Sequence, residues 1–224
     1  MPIPVKKEAA PPKTAKERVY NEMREWIISG TLEPGERISD QEIAKYFSVS
    51  RTPVREAIQL LADQKLVTVL MGRETRVADI NLDEADHLYK LMAVLNQLAL
   101  EFSFDKMTSQ VLQKLRQNNK LLKKAVDARD IKKSLMLDRE FHHTFLELSG
   151  SYFLNEFCSV LDSHIVRIEH AYYQQLFHGI NSVTGHEVIL DALEQKNLDK
   201  AKEAMAANWL DTLPVLDELK QKNN

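Results

Sequence analysis

At 224 residues, 44% hydrophobic and 28% charged, the chain is long enough for two domains of ordinary size, each with its own core. Its formal net charge of −3 rules out attraction to polyanions through composition alone. No apolar run reaches the roughly 18 residues of a membrane span, and the opening MPIPVKKEAAPPK has no apolar core that would make it a secretory signal.

In chain order, residues 1–13 are proline-rich and are expected to form a disordered arm. Thr14 and Glu17 then stand in capping-box spacing, and Val19, Met23, Trp26 and Ile27 follow at helical intervals until Gly30 closes the helix. Leu32 to Gly35, with Glu-Pro-Gly, reads as a turn. Ser39 and Glu42 repeat the box spacing and open a helix that buries Ile43, Ala44 and Phe47, broken at Ser48 to Ser50. The next helix begins near Ser50 or Thr52, where a hydroxyl can cap it, with Pro53 in its first turn.

Val54, Ala57, Ile58 and Leu61 form the inward stripe of that helix. Thr52, Arg55 and Gln59 point away from it, and Arg51 stands at the leading end. Two short helices with arginines at the start of the second make a helix-turn-helix, whose second helix can present guanidinium forks to guanine acceptors in a major groove. LVTVLMGRETRVADI then supplies two β-rich runs around Met71 to Glu74: a hairpin wing in which Gly72 lets backbone approach DNA. The domain is set at residues 14–79, with a linker over Asp79 to Asp83. Residues 1–80 carry 13 basic against 12 acidic side chains, and residues 81–224 carry 17 against 21. Binding to DNA therefore rests on where the arginines sit, and sequence-independent affinity should be modest and salt-sensitive.

From Leu82 the pattern is helical throughout: helices over 83–105, 108–128, 131–148, 152–178, 184–196 and 197–220, the last bent at Pro214. The class is mainly α, a winged helix-turn-helix joined to an antiparallel helix bundle over residues 80–224, whose interior is the usual place for a ligand or metal. The one cysteine, Cys158, lies between Phe157 and Val160 as a packed thiol, which fits a reducing cytoplasm.

On the 131–148 helix, Ile131, Leu135, Asp138, His142, Phe145 and Leu146 share an inward arc, with Arg139, Glu140, His143 and Glu147 outside it. An inward Asp and His one turn apart can chelate one ion. His186 lies in the first turn of a helix capped by Thr184 and Glu187, and Asn208 continues the stripe of Leu198, Ala201 and Met205. His164 lies on the stripe of Phe157, Val160, Leu161 and Ile168. A single inward histidine is an ordinary core residue. Several inward polar groups from separate helices each need a buried partner, and a shared divalent cation would serve them together.

The stretch SVSRTPVREAIQLL, followed by LV, a strand and a glycine wing, resembles the winged helix of GntR-type bacterial transcriptional regulators over about Val19 to Ile80. That resemblance implies DNA contacts from Ser50, Arg51, Thr52 and Arg55, with Gly72 in the wing, and places Gln41 where the family often has an arginine. DREFHHTFLELSG resembles the all-α ligand-binding (FCD) domain of the FadR-like branch, over about Leu82 to Leu219. It implies Asp138, His142 and His186 as metal ligands, with Asn208 at the position of the family's last histidine, and a zinc-, nickel- or manganese-like ion. Many relatives hold an effector's carboxylate with the metal and an arginine on the first bundle helix. Met92 stands at that position and Asn96 at that of a frequent glutamate, so an anionic effector would draw on another cation, Arg167, beside His164.

The expectation is a homodimeric regulator that binds operator DNA and senses a small metabolite, with an organic acid as one candidate, and holds a divalent metal in its pocket. Two alternatives stand beside it: the same regulator with Asp138 and His142 as a metal-free ion pair, and a metalloenzyme with a DNA-binding appendage. The second lacks a separate general base, an H-E-x-x-H, a phosphate loop and a nucleophile motif.

Overall fold

A computed structural model describes residues 14–70, 74–176 and 179–223, without the side chains of 173–176, 179, 180 and 223. The expected arm at 1–13 and the wing tip with Gly72 lie outside the described residues. The chain divides into two compact units, residues 1–80 and 81–224.

In the first unit, α1 (Ala15–Ile28) starts on a complete capping box: the Glu17 amide donates to Thr14 Oγ1 at 3.2 Å, and the Thr14 amide donates to Glu17 Oε2 at 2.8 Å. The strand β1 (Arg37–Ile38) follows the Glu-Pro-Gly turn and was not foreseen, because two residues are too few to show alternation. Helix α2 (Asp40–Phe47) has half of its expected box, with the Glu42 amide donating to Ser39 Oγ at 3.3 Å. Its end at Ser48 is left-handed, φ 54°, which turns the chain into α3 (Arg51–Asp63).

Ser50 takes the cap position of α3, but its hydroxyl makes no cap hydrogen bond, contrary to expectation. A cap oxygen is served by the second or third helical amide, and the third residue here is Pro53, which has none. Strands β2 (Val67–Leu70) and β3 (Glu74–Val77) pair antiparallel from Val67 opposite Val77 to Leu70 opposite Glu74. β1 adds to the other edge of β3, giving the order β1-β3-β2. The core is apolar and draws on every element, with Val19, Met23, Ile38, Val54, Leu61 and Val77 each under a tenth exposed. The unit is a winged helix-turn-helix.

The second unit is all helical among the described residues: α4 (Ala85–Ser103), α5 (Ser109–Asp127), α6 (Ile131–Ser149), α7 (Tyr152–Leu176), α8 (Gly179–Glu194), α9 (Leu198–Leu210) and α10 (Leu213–Asn223). Helix α4 packs on α6, α7 and α9, while α8 lies between α5 and α9. Five expectations are corrected here. Helix α8 starts at Gly179, so Thr184 is an interior residue whose hydroxyl donates to the Asn181 carbonyl at 3.0 Å rather than a cap. The final helix is two, because Pro214 lies in the first turn of α10, where its fixed φ suits a new start better than a bend.

On α6 the buried side chains are Ser134, Leu137, Phe141, His142, Phe145 and Leu146, so the inward arc is rotated toward Phe141 and away from Ile131 and Leu135. Arg139, expected outside, is partly covered and paired with Glu169 and Asp162 of α7. On α7, Phe157 is exposed, and the face inward is Leu154, Cys158, Ile165, Val166 and Ile168. Burial pushes the Cys158 thiol up to about 12, as a packed rather than reactive cysteine requires.

Candidate functional site

Two groups of polar side chains stand out, one in each unit. In the first, Gln41, Ser50, Arg51, Thr52, Arg55 and Gln59 are all exposed around the junction of α2 and α3. Asp40, the first residue of α2, gathers the two arginines. Arg51 donates to both of its carboxylate oxygens at 2.9 Å, and Arg55 Nε donates to Oδ2 at 2.7 Å. The Arg55 bond, with that of Arg51, holds the Asp40 carboxyl below its usual range against the opposing effect of its partial burial. The arginine side chains remain 53% and 65% exposed, so both stay within reach of an outside partner. A groove of about 510 Å³ runs past Arg37, Gln41, Arg55, Gln59, Leu70 and Thr75, placing the start of α2, the middle of α3 and the wing strands on the same side. Sequence reasoning missed Asp40; its signal was an acid in the first turn of the helix preceding an arginine-led one.

In the second unit, Asp138 and His142 on α6 meet His186 on α8. One ligand atom from each lies within 4.8 Å of the others. His186 Nε2 is 3.4 Å from His142 Nε2 and 3.5 Å from Asp138 Oδ1. His186 is fully buried and stacked on Phe141, ring centroids 3.6 Å apart and planes at 8°; His142 is 5% exposed and lies against Trp209 at 4.8 Å. Burial lowers both imidazoles' affinity for a proton, with the other ring adding to the effect at His186 and Asp138 opposing it at His142. Both are therefore neutral at pH 7, the form that ligates a metal.

The Asn208 side chain of α9 also opposes the effect of burial at His142. It lies against the α8 backbone at Gly185, where a Cβ would stand 2.6 Å from Asn208 Nδ2. A glycine inside a helix, directly before His186, was the unread signal of that approach. Asn119 of α5 was also missed, although it interrupts an apolar stripe at Leu115 and Leu122 as Asn208 does at Ala201 and Met205. It is 1% exposed; its Oδ1 is 3.1 Å from His186 Nδ1, and its Nδ2 donates to Glu187 Oε1 at 2.8 Å and to the Val183 carbonyl at 3.1 Å.

Of the pocket residues, Met92 and Asn96 are buried on α4, where Asn96 Nδ2 donates to the Met92 carbonyl at 3.0 Å. Arg167 is 4% exposed rather than solvated, and His164 is half-buried one turn before it. Buried polar atoms without a hydrogen-bond partner include Asp138 Oδ1, His142 Nδ1, Asn96 Oδ1, Tyr89 Oη and Trp209 Nε1. Tyr89 and Trp209 lie 6.2 Å apart between ring centroids, so several of these atoms line the same α4–α6–α9 interior.

Comparison with known proteins bears on both units. Residues 15–77 match the family model described as bacterial regulatory proteins, gntR family, and residues 87–210 match that of the FCD domain. The chain is 27% identical over 193 residues to the HTH-type transcriptional regulator YdhC of Bacillus subtilis, covering 85% of each. It is 26% identical over 208 residues to the gluconate operon transcriptional repressor of Bacillus licheniformis, covering 90% of this chain and 85% of that one. Among solved structures it shares the fold of E. coli McbR/YncC, with a TM-score of 0.74 at 21% identity over 95% of this chain and all of the other. A putative GntR regulator from Rhodococcus sp. RHA1 gives 0.72 at 26% identity, over 90% and 97%. These relatives are regulators rather than enzymes, which removes the metalloenzyme alternative. No helix among the described residues is long and apolar enough to cross a membrane. The chain belongs to the GntR family of bacterial DNA-binding transcriptional regulators, in the FadR-like branch whose C-terminal half is an FCD effector-binding domain.

Proposed function

We propose that this regulator is a repressor that binds a short palindromic operator as a homodimer through residues 14–79, and that its helical domain, residues 80–224, senses a small metabolite with a divalent metal bound beside it. Arg51, Thr52 and Arg55 read bases at the start of α3, Gln41 and Ser50 support them from the flanks, and Gly72 belongs to the wing. Release from Asp40 is part of that act, because guanine O6 and N7 offer each guanidinium the same pair of acceptors that the carboxylate now supplies. Repression is supported by the relatives named as repressors, from Bacillus licheniformis and E. coli. Homodimerisation is supported by one face of α4, where Leu91, Val94, Leu98 and Phe102 are exposed at spacings of three and four.

The metal reading rests on one observation: Asp138, His142 and His186 bring three ligand atoms within 4.8 Å, and the Asp138 oxygen there is buried without a hydrogen bond. A carboxylate oxygen buried without a donor is unfavourable, and a cation would meet it. Asn208 supplies a fourth, weaker oxygen from the opposite helix, and the mixed nitrogen and oxygen set suits zinc, nickel or manganese. When bound, the ion would offer an open position to an acidic effector. The buried residues Met92, Asn96 and Arg167 and the half-buried His164 belong to the effector pocket, with Arg167 as the cation for an organic acid. Ligand alters DNA affinity only by binding the two dimer arrangements unequally.

Zinc titration with a competing chelator tests the metal. Wild type should take up one ion per chain, and His142→Ala, which removes a direct ligand, should lose at least the ten-fold in affinity that loss of a group merely orienting a ligand costs. A wild type that takes up no zinc would leave Asp138 and His142 as a metal-free polar pair.

A further inference from the structure

The side chain of Asn119 has only one sensible orientation. Its Nδ2 lies between two acceptors, the Glu187 carboxylate and the Val183 carbonyl, so turning the amide over would set its oxygen against both of them. Asn119 Oδ1 therefore faces His186 Nδ1 at 3.1 Å. An amide oxygen only accepts, so Nδ1 must be the protonated nitrogen, and the lone pair of this neutral ring stands on Nε2. Glu187 is itself fixed by Arg116 of α5, which also pairs with Asp191 and Glu194 along the same face of α8.

We infer that Asn119 is a positioning residue for the metal site: through the chain Arg116–Glu187–Asn119 it holds His186 in the Nδ1–H tautomer and so leaves the Nε2 lone pair free for an ion shared with Asp138 and His142. Free histidine prefers the opposite tautomer, so without such a partner part of the population would present an N–H where a ligand atom is needed. The assignment also accounts for the surroundings. With no hydrogen on His186 Nε2, the 3.5 Å approach of Asp138 Oδ1 is not a hydrogen bond, which is why that oxygen has no donor. Phe141, stacked flat on the His186 ring, keeps the plane from turning, and Asn119 decides which edge carries the proton. The inference rests on the metal reading for its purpose but not for its geometry.

The test uses full-length, ¹⁵N-labelled protein stripped of metal with EDTA, with long-range ¹H–¹⁵N correlation reporting which His186 nitrogen bears hydrogen and zinc as the metal probe. Wild type should show a protonated Nδ1 and an unprotonated Nε2. Asn119→Leu, of similar size but with no acceptor, should give mixed tautomers and bind zinc ten- to a hundred-fold more weakly, the usual loss for a residue that orients a ligand. A proton on Nε2 in wild type overturns the inference without any variant, as does Asn119→Leu with tautomer and zinc affinity unchanged. Wild type with the Nδ1–H form that ignores zinc would support the chain of hydrogen bonds and overturn the metal reading instead.

Discussion

The two units handle polarity in opposite ways. Among the described residues of the winged helix, no polar or charged side chain is buried; its core is hydrocarbon, and Arg51 and Arg55 lie at the surface sharing one carboxylate. The bundle buries Asn96, Ser103, Asn119, Ser134, His142, Ser163, Arg167 and His186. A surface that reads DNA must exchange partners quickly, so its ion pairs are exposed and individually weak. A site that holds an ion or small ligand gains from groups fixed in advance, and those groups must be kept from water and from one another.

The largest effect should come where core and site coincide. Phe141→Ala removes a fully buried ring and the surface on which His186 lies, so the bundle should lose about 3–5 kcal/mol in denaturant unfolding and zinc affinity should fall with it. A stability loss without a change in zinc binding would separate the two roles. In the winged helix the counterpart effect falls on binding instead of folding. Arg55→Ala should weaken binding to DNA selected from a random pool by about 1–3 kcal/mol, with little change for unselected DNA. Equal losses on both would make Arg55 a phosphate contact.

The smallest effect concerns the carboxylate between the arginines. Asp40→Asn should alter folding stability by less than about 1 kcal/mol, since the pair is exposed. Its consequence should lie in specificity: with the arginines no longer held, affinity for unselected DNA rises more than affinity for selected sites. Stability lost by several kcal/mol would mean that Asp40 is part of the unit's architecture, and the contrast between the units would weaken.

How much of this was legible in the sequence follows the same division. The winged helix could be read nearly residue by residue, because capping boxes, an αL turn and apolar stripes are local: Val54, Ala57, Ile58 and Leu61 are all buried as the 3.6-residue period requires. What escaped was a two-residue strand and a cap silenced by Pro53. In the bundle, the meeting of Asp138, His142 and His186 was within reach, since polar residues on apolar stripes announce themselves, whereas the split of the last helix into α9 and α10 was read as a bend. The arc on α6 was displaced by one position because Phe141 and Leu135 differ little in hydrophobicity, and only packing against α8 settles which goes in. Asp40 with Arg51 and Arg55, and Asn119 with His186, escaped for another reason. They are pairs across elements, and spacing along one helix carries no trace of its neighbour's side chains.

The most direct measurement is anomalous diffraction from crystals grown with zinc and recorded on both sides of the zinc absorption edge. A single strong peak per chain, bounded by Asp138 Oδ1, His142 Nε2 and His186 Nε2 with the Asn208 side chain on its open side, is the expected result. Zinc found only on surface residues, with these four side chains arranged as they are now, would contradict it.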